Sequence, residues 1–198
     1  MFTYGLDGAN VDFEKLPFQP QTPVSGRRHK SLAATGIPGT AGSPHYGTFT
    51  PIKFSADTTI TKIGLRVIFS FTGTTQNYRL GIYADDNGHP GARLLDAGTL
   101  AISNPTSPGH VDITLGTPLS VSANTVYWLA VGSANLSGTP ALQIDVGYIE
   151  PFASLGTLGE LGACGYYFNH NGANALPDPA PSTTSPTYGA PTVWVTVS

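Results

Sequence analysis

The residues able to do chemistry are few and dispersed in this chain. His110 and Asp112 lie two residues apart, so a strand would place them on one face, where a carboxylate can orient an imidazole. No nucleophile turn of the Gly-Xaa-Ser-Xaa-Gly type accompanies them, and we favour an ordinary exposed strand face. Asp96 could pair with Asp145 or Glu150 as glycosidase carboxylates, but nothing in the sequence places these groups together. We therefore predict no catalytic residues and no enzymatic activity.

Patterns for metal or cofactor binding are equally sparse. Asp85, Asp86 and Asn87 offer clustered oxygens, as a calcium loop does, but the closing Glu of an EF-hand is missing. A turn held by side-chain-to-backbone hydrogen bonds is the favoured alternative. Cys164 is the single cysteine, so it excludes an internal disulfide, and it has no local cationic partner. The prediction is no metal site and no cofactor.

Aromatic side chains are the better candidates for a contact surface. Trp128 and Trp194 each alternate with aliphatic residues in a predicted strand. If the aliphatic rows form the core, both Trp side chains lie on outer faces, where they could stack on sugars or on a neighbouring subunit. The inverse assignment stays open, because a short strand does not settle which face is buried. A second candidate patch for carbohydrate or protein contact, with a packed loop as its alternative, comprises Tyr166, Tyr167, Asn169 and His170.

Composition excludes several classes of protein. Gly and Pro number 24 and 17 among 198 residues, which leaves little room for long helices. Only 11% of the residues are charged and the net charge is −3, so a nucleic-acid partner is not expected. The start of the chain lacks the pattern of a secretion signal, and no stretch approaches the ~18 apolar residues of a membrane helix. We expect synthesis in a cytoplasm and no membrane insertion.

Period-two alternation dominates the chain from residue 48 onward. About nine short strands separated by turn residues predict an all-β fold, an antiparallel β-sandwich of jelly-roll-like type spanning residues 48–198. A segment rich in Gly, Pro, Ser and Thr at about 150–191 is predicted to be a long loop insertion in that domain.

Residues 1–47 read as an extended arm rich in Pro and Gly. An arm of this composition cannot bury enough apolar surface to become ordered alone, so we expect it to lie on its own domain, a neighbouring copy or a larger assembly. The candidate anchoring residues are Phe2, Tyr4, Phe13, Leu16, Phe18, Arg27 and Arg28.

Several stretches resemble a β-sandwich module of surface and tail appendage proteins of tailed bacteriophages. They are FTPIKFSADTTITKIGLRV at 49–67, RLGIYADDNGHPGARLLDAG at 79–98, HVDITL at 110–115, VYWLAVGS at 126–133 and GAPTVWVTV at 189–197. The resemblance covers about residues 46–198, and the run from 79 to 98 followed by YWLAV is its most specific part. Related jelly-roll modules also occur in bacterial surface and carbohydrate-binding proteins.

The resemblance implies a structural protein of the virion, made in the host cytoplasm. Its expected role is a surface decoration, fiber or tail appendage subunit that the N-terminal arm anchors to other capsid or tail proteins. A homo-oligomer, with a trimer favoured, and contact with a glycan of the host surface are further expectations. The alternatives are a carbohydrate- or receptor-binding module and, less favoured, a polysaccharide-degrading enzyme.

Overall fold

Among the residues that the computed structural model describes, thirteen β-strands occur and no helix. Those residues are 20–31, 35–40, 46–67, 75–103, 108–135, 143–148, 165–170, 175–182, 185–187 and 190–198. The strands are β1 (Arg28–Lys30), β2 (Thr35–Thr40), β3 (Tyr46–Lys53), β4 (Thr58–Val67), β5 (Gln76–Asp86), β6 (His89–Ile102), β7 (Gly109–Val121), β8 (Val126–Asn135), β9 (Gln143–Tyr148), β10 (Gly165–Asn169), β11 (Ser185–Thr187), β12 (Ala190–Pro191) and β13 (Val193–Val197).

The strands form two antiparallel sheets that pack against each other. Sheet I has the order β1-β13-β4-β9-β12, with β2 paired to β9 and β7 paired to β4. Sheet II has the order β11-β10-β3-β8-β5-β6. The prediction of an all-β, antiparallel sandwich is therefore confirmed.

The core between the sheets is built from the aliphatic rows that the alternation predicted. In β4 the buried residues Ile63 and Leu65 alternate with outward Lys62 and Arg66, as expected for a half-buried strand. The same alternation in β5, β8 and β13 supplies further core residues, namely Leu80, Ile82, Leu129, Val131, Val193, Val195 and Val197. Burial of these apolar rows is the main stabilising contribution to the sandwich.

The hairpin between β5 and β6 turns at Asn87 and Gly88. Both residues have positive φ, 53° and 84°, as a type I′ turn requires, and Gly tolerates this conformation best. The Asp85 carboxylate accepts a hydrogen bond from the Gly88 amide at 3.1 Å. The favoured interpretation of this cluster, a turn held by side-chain-to-backbone bonds, is confirmed.

Part of the predicted arm pairs with sheet I of its own chain. β1 pairs with β13, and β2 pairs with β9. His29 and Ser31 are buried, and the Gln21 side-chain amide donates a hydrogen bond to the Lys30 carbonyl. The predicted boundary after residue 47 falls inside β3. The candidate anchors Phe2, Tyr4, Phe13, Leu16 and Phe18 lie outside the described residues.

The segment predicted as a continuous loop at 150–191 instead contains β10, β11 and the short β12. β10 pairs with β3 along four residues and extends sheet II at its β3 side. Its sequence, Gly-Tyr-Tyr-Phe-Asn, is rich in aromatic residues, which favour strands, so tertiary pairing and local preference agree here.

Candidate functional site

The outer face of sheet II is closed. Trp128 points away from the main core, which is one of the two assignments that the sequence left open, but it is 0% exposed. It belongs to a second apolar cluster with Phe49, Tyr83, Tyr166 and others. The expectation that Trp128 offers a stacking surface is therefore wrong for this structure, because the Tyr166 and Phe168 side chains of β10, together with residues 175–180, pack on that face.

Two glycines make this close cover feasible. Gly47 of β3 and Gly132 of β8 are cross-strand partners. The Phe168 ring lies on Gly47 and the His170 ring lies on Gly132, so closely that a Cβ atom would be 2.1 Å and 2.2 Å from those rings. Aromatic rings thus fill the space that the missing side chains leave. Asn169, between them in sequence, is exposed.

Hydrogen bonds fix the polar ends of the buried rings. The Trp128 indole N–H donates to the Asp85 carboxylate at 2.7 Å, and the Tyr83 hydroxyl donates to the Pro177 carbonyl at 2.6 Å. The Tyr166 hydroxyl donates to the Gly88 carbonyl at 3.3 Å. Such partners offset the cost of burying polar atoms. The Tyr83 bond ties residues 175–180 to β5, and the Tyr166 bond ties β10 to the turn of the β5–β6 hairpin.

One carboxylate joins the covering segment to sheet II. Asp96 accepts two hydrogen bonds from Arg79, at 2.7 Å and 3.0 Å, and one from the Leu176 amide at 3.2 Å. Arg93 lies 3.6 Å from Asp96 and 3.7 Å from Asp178. Burial by itself would raise the pKa of Asp96, but the Arg79 hydrogen bond and the Gly98 and Leu176 amides hold that pKa below its ordinary value.

Two buried histidines make stability depend on pH. Burial lowers the pKa of His170, and the nearby Arg79 lowers it further, while Asp96 acts in the opposite direction. Burial also lowers the pKa of His29, whose Nε2 accepts a hydrogen bond from the Val24 amide. Each imidazole therefore binds a proton less readily in the folded protein than in the unfolded chain.

We expect the free energy of unfolding to fall as pH decreases below 6.5, the ordinary pKa of His. Below this pH the histidines are protonated in the unfolded chain but not yet in the folded protein. Each histidine therefore lowers the free energy of unfolding by at most ~1.4 kcal/mol per pH unit, until the pH reaches its pKa in the folded protein. Urea unfolding across this range measures the effect. The double variant His29→Gln, His170→Gln should show a flatter pH dependence, and an unchanged dependence would contradict this cause.

The outer face of sheet I has a different character and centres on Trp194. Cross-strand register places Lys30, Trp194, Gly64 and Asp112 side by side on β1, β13, β4 and β7. Trp194 is half-buried, whereas its neighbours Val193 and Val195 are in the core. The outward assignment made for Trp194 agrees with this placement.

Neighbouring side chains hold the Trp194 ring in place. The His110 ring meets it edge to face, with centroids 4.7 Å apart. The Trp194 indole nitrogen is buried and has no hydrogen-bond partner among the described residues. What this residue presents outward is therefore ring surface, which is suited to stacking.

An ion pair crosses the same face. Arg28 donates to one Asp112 oxygen from Nε at 3.2 Å and from Nη2 at 2.6 Å. Asp112 lies over Gly64, where a Cβ atom would be 2.4 Å from the carboxylate. Arg28, predicted as an anchor, thus contacts its own chain, and Asp112 binds this guanidinium. Arg27 is exposed.

The structure separates the residues that the sequence singled out into two groups. Tyr166 and His170 lie on the same face of sheet II as Trp128, and both are buried, at 2% and 5% exposed. Trp194 lies on the other sheet, beside His110 and Asp112. The side chains of Tyr167 and Asp145 are outside what the structure describes, as are the whole residues Glu150 and Cys164.

Sequence reasoning missed three cations of the Trp194 face. Lys30, Lys62 and Arg66 share the outward side of β1 and β4, and none forms an ion pair with a described residue. The sequence of β4 could have revealed two of them, because Lys62 and Arg66 alternate with the aliphatic residues and so lie on the opposite face of the strand. We refer below to Arg28, Lys30, Lys62, Arg66, His110, Asp112 and Trp194 as the Trp194 face.

No family model, curated protein or solved structure matches this chain. Within the described ranges, no helix has the length and apolar character needed to cross a membrane. Over the same ranges, His, Cys, Asp and Glu side chains do not assemble in groups of three that could hold a metal ion.

Proposed function

We propose that this protein is a structural subunit of a phage virion, a surface decoration, fiber or tail appendage protein that contacts the host surface through the Trp194 face. Its role is adhesion and assembly, in keeping with the resemblance of residues 46–198 to such modules. Other virion proteins, and further copies of this chain in a trimer, are the proposed partners. Residues 1–19 are the proposed anchor.

The observation that supports contact at this place is the half-buried Trp194 ring, fixed by His110 on a face where Arg28 and Asp112 present polar groups. Aromatic rings bordered by hydrogen-bonding groups are typical of contact sites for sugars and proteins. This observation favours carbohydrate as the ligand class, so the binding-module alternative and the appendage role describe one protein.

Two variants of the protein, each produced in phage particles, test the anchoring role and the contact role in one experiment. Removal of residues 1–19 takes away the candidate anchors Phe2, Tyr4, Phe13, Leu16 and Phe18 and leaves all the strands β1 to β13 in the chain. We expect a folded protein that particles no longer incorporate. A longer deletion, to residue 45, would also remove β1, β2 and buried His29, so we expect it to destabilise sheet I.

Trp194→Ala is the complementary variant in the same experiment. Incorporation is expected to be normal, because the side chain lies outside the main core, while adsorption to host cells falls about tenfold or more. Incorporation is measured by immunoblotting of purified particles, and adsorption by counting unbound particles. Normal incorporation of the truncated chain argues against the anchor, and unchanged adsorption of Trp194→Ala argues against the contact face.

A further inference from the structure

We propose that the Trp194 face binds the carboxylate groups of an acidic surface polysaccharide. This inference rests on the host-contact role proposed above and names the chemical class of its ligand. Charge, aromatic surface and size each argue for it.

Charge is concentrated on this face. β1, β4, β7 and β13 together contain four Lys or Arg residues and one acidic residue, Asp112. The adjoining strand β9, whose Ile144 is the register partner of Val67 in β4, adds a second acidic residue, Asp145. The whole chain, in contrast, has a net charge of −3. Clustered cations in an acidic protein attract anions to one place, and salt weakens that attraction.

The face already binds one carboxylate, that of its own Asp112. Arg28 contacts it through two nitrogens, which shows the charge-assisted geometry available here. Lys62 and Arg66 have no such partner among the described residues. A ligand carboxylate could therefore form with Lys62 and Arg66 the kind of ion pair that Asp112 forms with Arg28.

Trp194 explains why the ligand is a sugar polymer. The ring meets the His110 ring edge to face, and its buried N–H leaves stacking as the available contact. A sugar ring has apolar C–H faces that can stack on an aromatic ring, while its substituents reach the surrounding polar groups. A carboxylated sugar satisfies the ring and the cations at the same time.

The extent of the face argues against a nucleic acid. From β1 to β7 it crosses three strand spacings, about 14 Å at ~4.8 Å each. Proteins that bind duplex DNA through its backbone commonly make about 6–10 phosphate contacts, more than four cations provide. A face about 14 Å wide instead suits a short stretch of polysaccharide.

Affinity electrophoresis of the purified full chain tests the proposal. The probes are polygalacturonate, hyaluronate and polysialate, with methyl-esterified polygalacturonate, dextran and duplex DNA as comparisons. Retardation is expected in at least one carboxylated polymer, and it should weaken as salt is added. Where polygalacturonate is the polymer bound, esterification should reduce affinity about tenfold or more, because it removes charge and keeps the sugar.

Matched variants locate the binding. Lys62→Gln and Arg66→Gln should each weaken retention severalfold, whereas Lys53→Gln, the same change at the end of β3 in sheet II, should leave it unchanged. Retention of none of the carboxylated polymers, equal retention of polygalacturonate and its ester, or stronger retention of DNA would overturn the proposal. So would equal effects of Lys62→Gln and Lys53→Gln.

The two proposals fail separately. If host adsorption depends on Trp194 but none of the carboxylated polymers is retained, the contact role stands and the acidic ligand is refuted. If an acidic polymer is retained through Lys62 and Arg66 but Trp194→Ala leaves adsorption to host cells unchanged, the ligand class stands and the host-contact role is refuted.

Discussion

Trp128→Ala is expected to lower the free energy of unfolding by about 3–5 kcal/mol, the usual range for truncating a large buried aromatic side chain. Trp128 is 0% exposed and lies 5.4 Å from Tyr166, centroid to centroid. The truncation leaves a cavity under the cover of sheet II and removes the donor to Asp85. Urea unfolding followed by circular dichroism measures the loss.

Two further variants separate the sources of this loss. Trp128→Phe keeps much of the ring volume but not the N–H, so it should cost less than Trp128→Ala. Trp194→Ala removes the same side chain from a half-buried position and should also cost less. Equal losses for Trp128→Ala and Trp194→Ala would show that the cover over Trp128 contributes little to stability.

The fold class and the core rows followed from the sequence because strand alternation is a local property. From Ile63 to Val67 in β4 and throughout β13 every second residue is aliphatic, and those residues form the core. The turn at Asn87-Gly88 was likewise recognisable, since its residue types match the positive φ values that the hairpin needs.

The cover over Trp128 could not be predicted in the same way. Alternation placed Trp128 opposite the aliphatic row, but it cannot say whether another part of the chain lies on that face. The cover depends on β10 pairing with β3 and on two glycines, Gly47 and Gly132, that only a three-dimensional structure brings under Phe168 and His170.

The Trp194 face shows the same limit. Its residues come from four strands that are neighbours in sheet I but distant in sequence, and Arg28 and Asp112 are separated by 84 residues. The sequence identified Trp194 and the pair His110 and Asp112 individually. Their assembly on one face, together with the cations Lys62 and Arg66 of β4, required the strand order.

Asp96→Ala is expected to lower the free energy of unfolding by about 2–4 kcal/mol. Removal of this carboxylate leaves Arg79 without its two hydrogen bonds, and the amides of Gly98 and Leu176 lose an acceptor. Breaking a fully buried ion pair costs about 3–5 kcal/mol, and the value here is reduced because the Arg79 side chain is 25% exposed. Urea unfolding at neutral pH measures it.

The lowered pKa of Asp96 gives a second, independent signature. Its stabilising contribution is present above its ordinary pKa of 3.8 and is lost as pH falls through the lower pKa of the folded protein. The wild-type protein should therefore lose this part of its stability in acid, and Asp96→Ala should not. Asp86→Ala, at an exposed position of the hairpin, is the control and should change stability by less than about 0.5 kcal/mol. If the two variants unfold alike, the contacts of Asp96 with Arg79 and Leu176 do not hold the covering segment on sheet II.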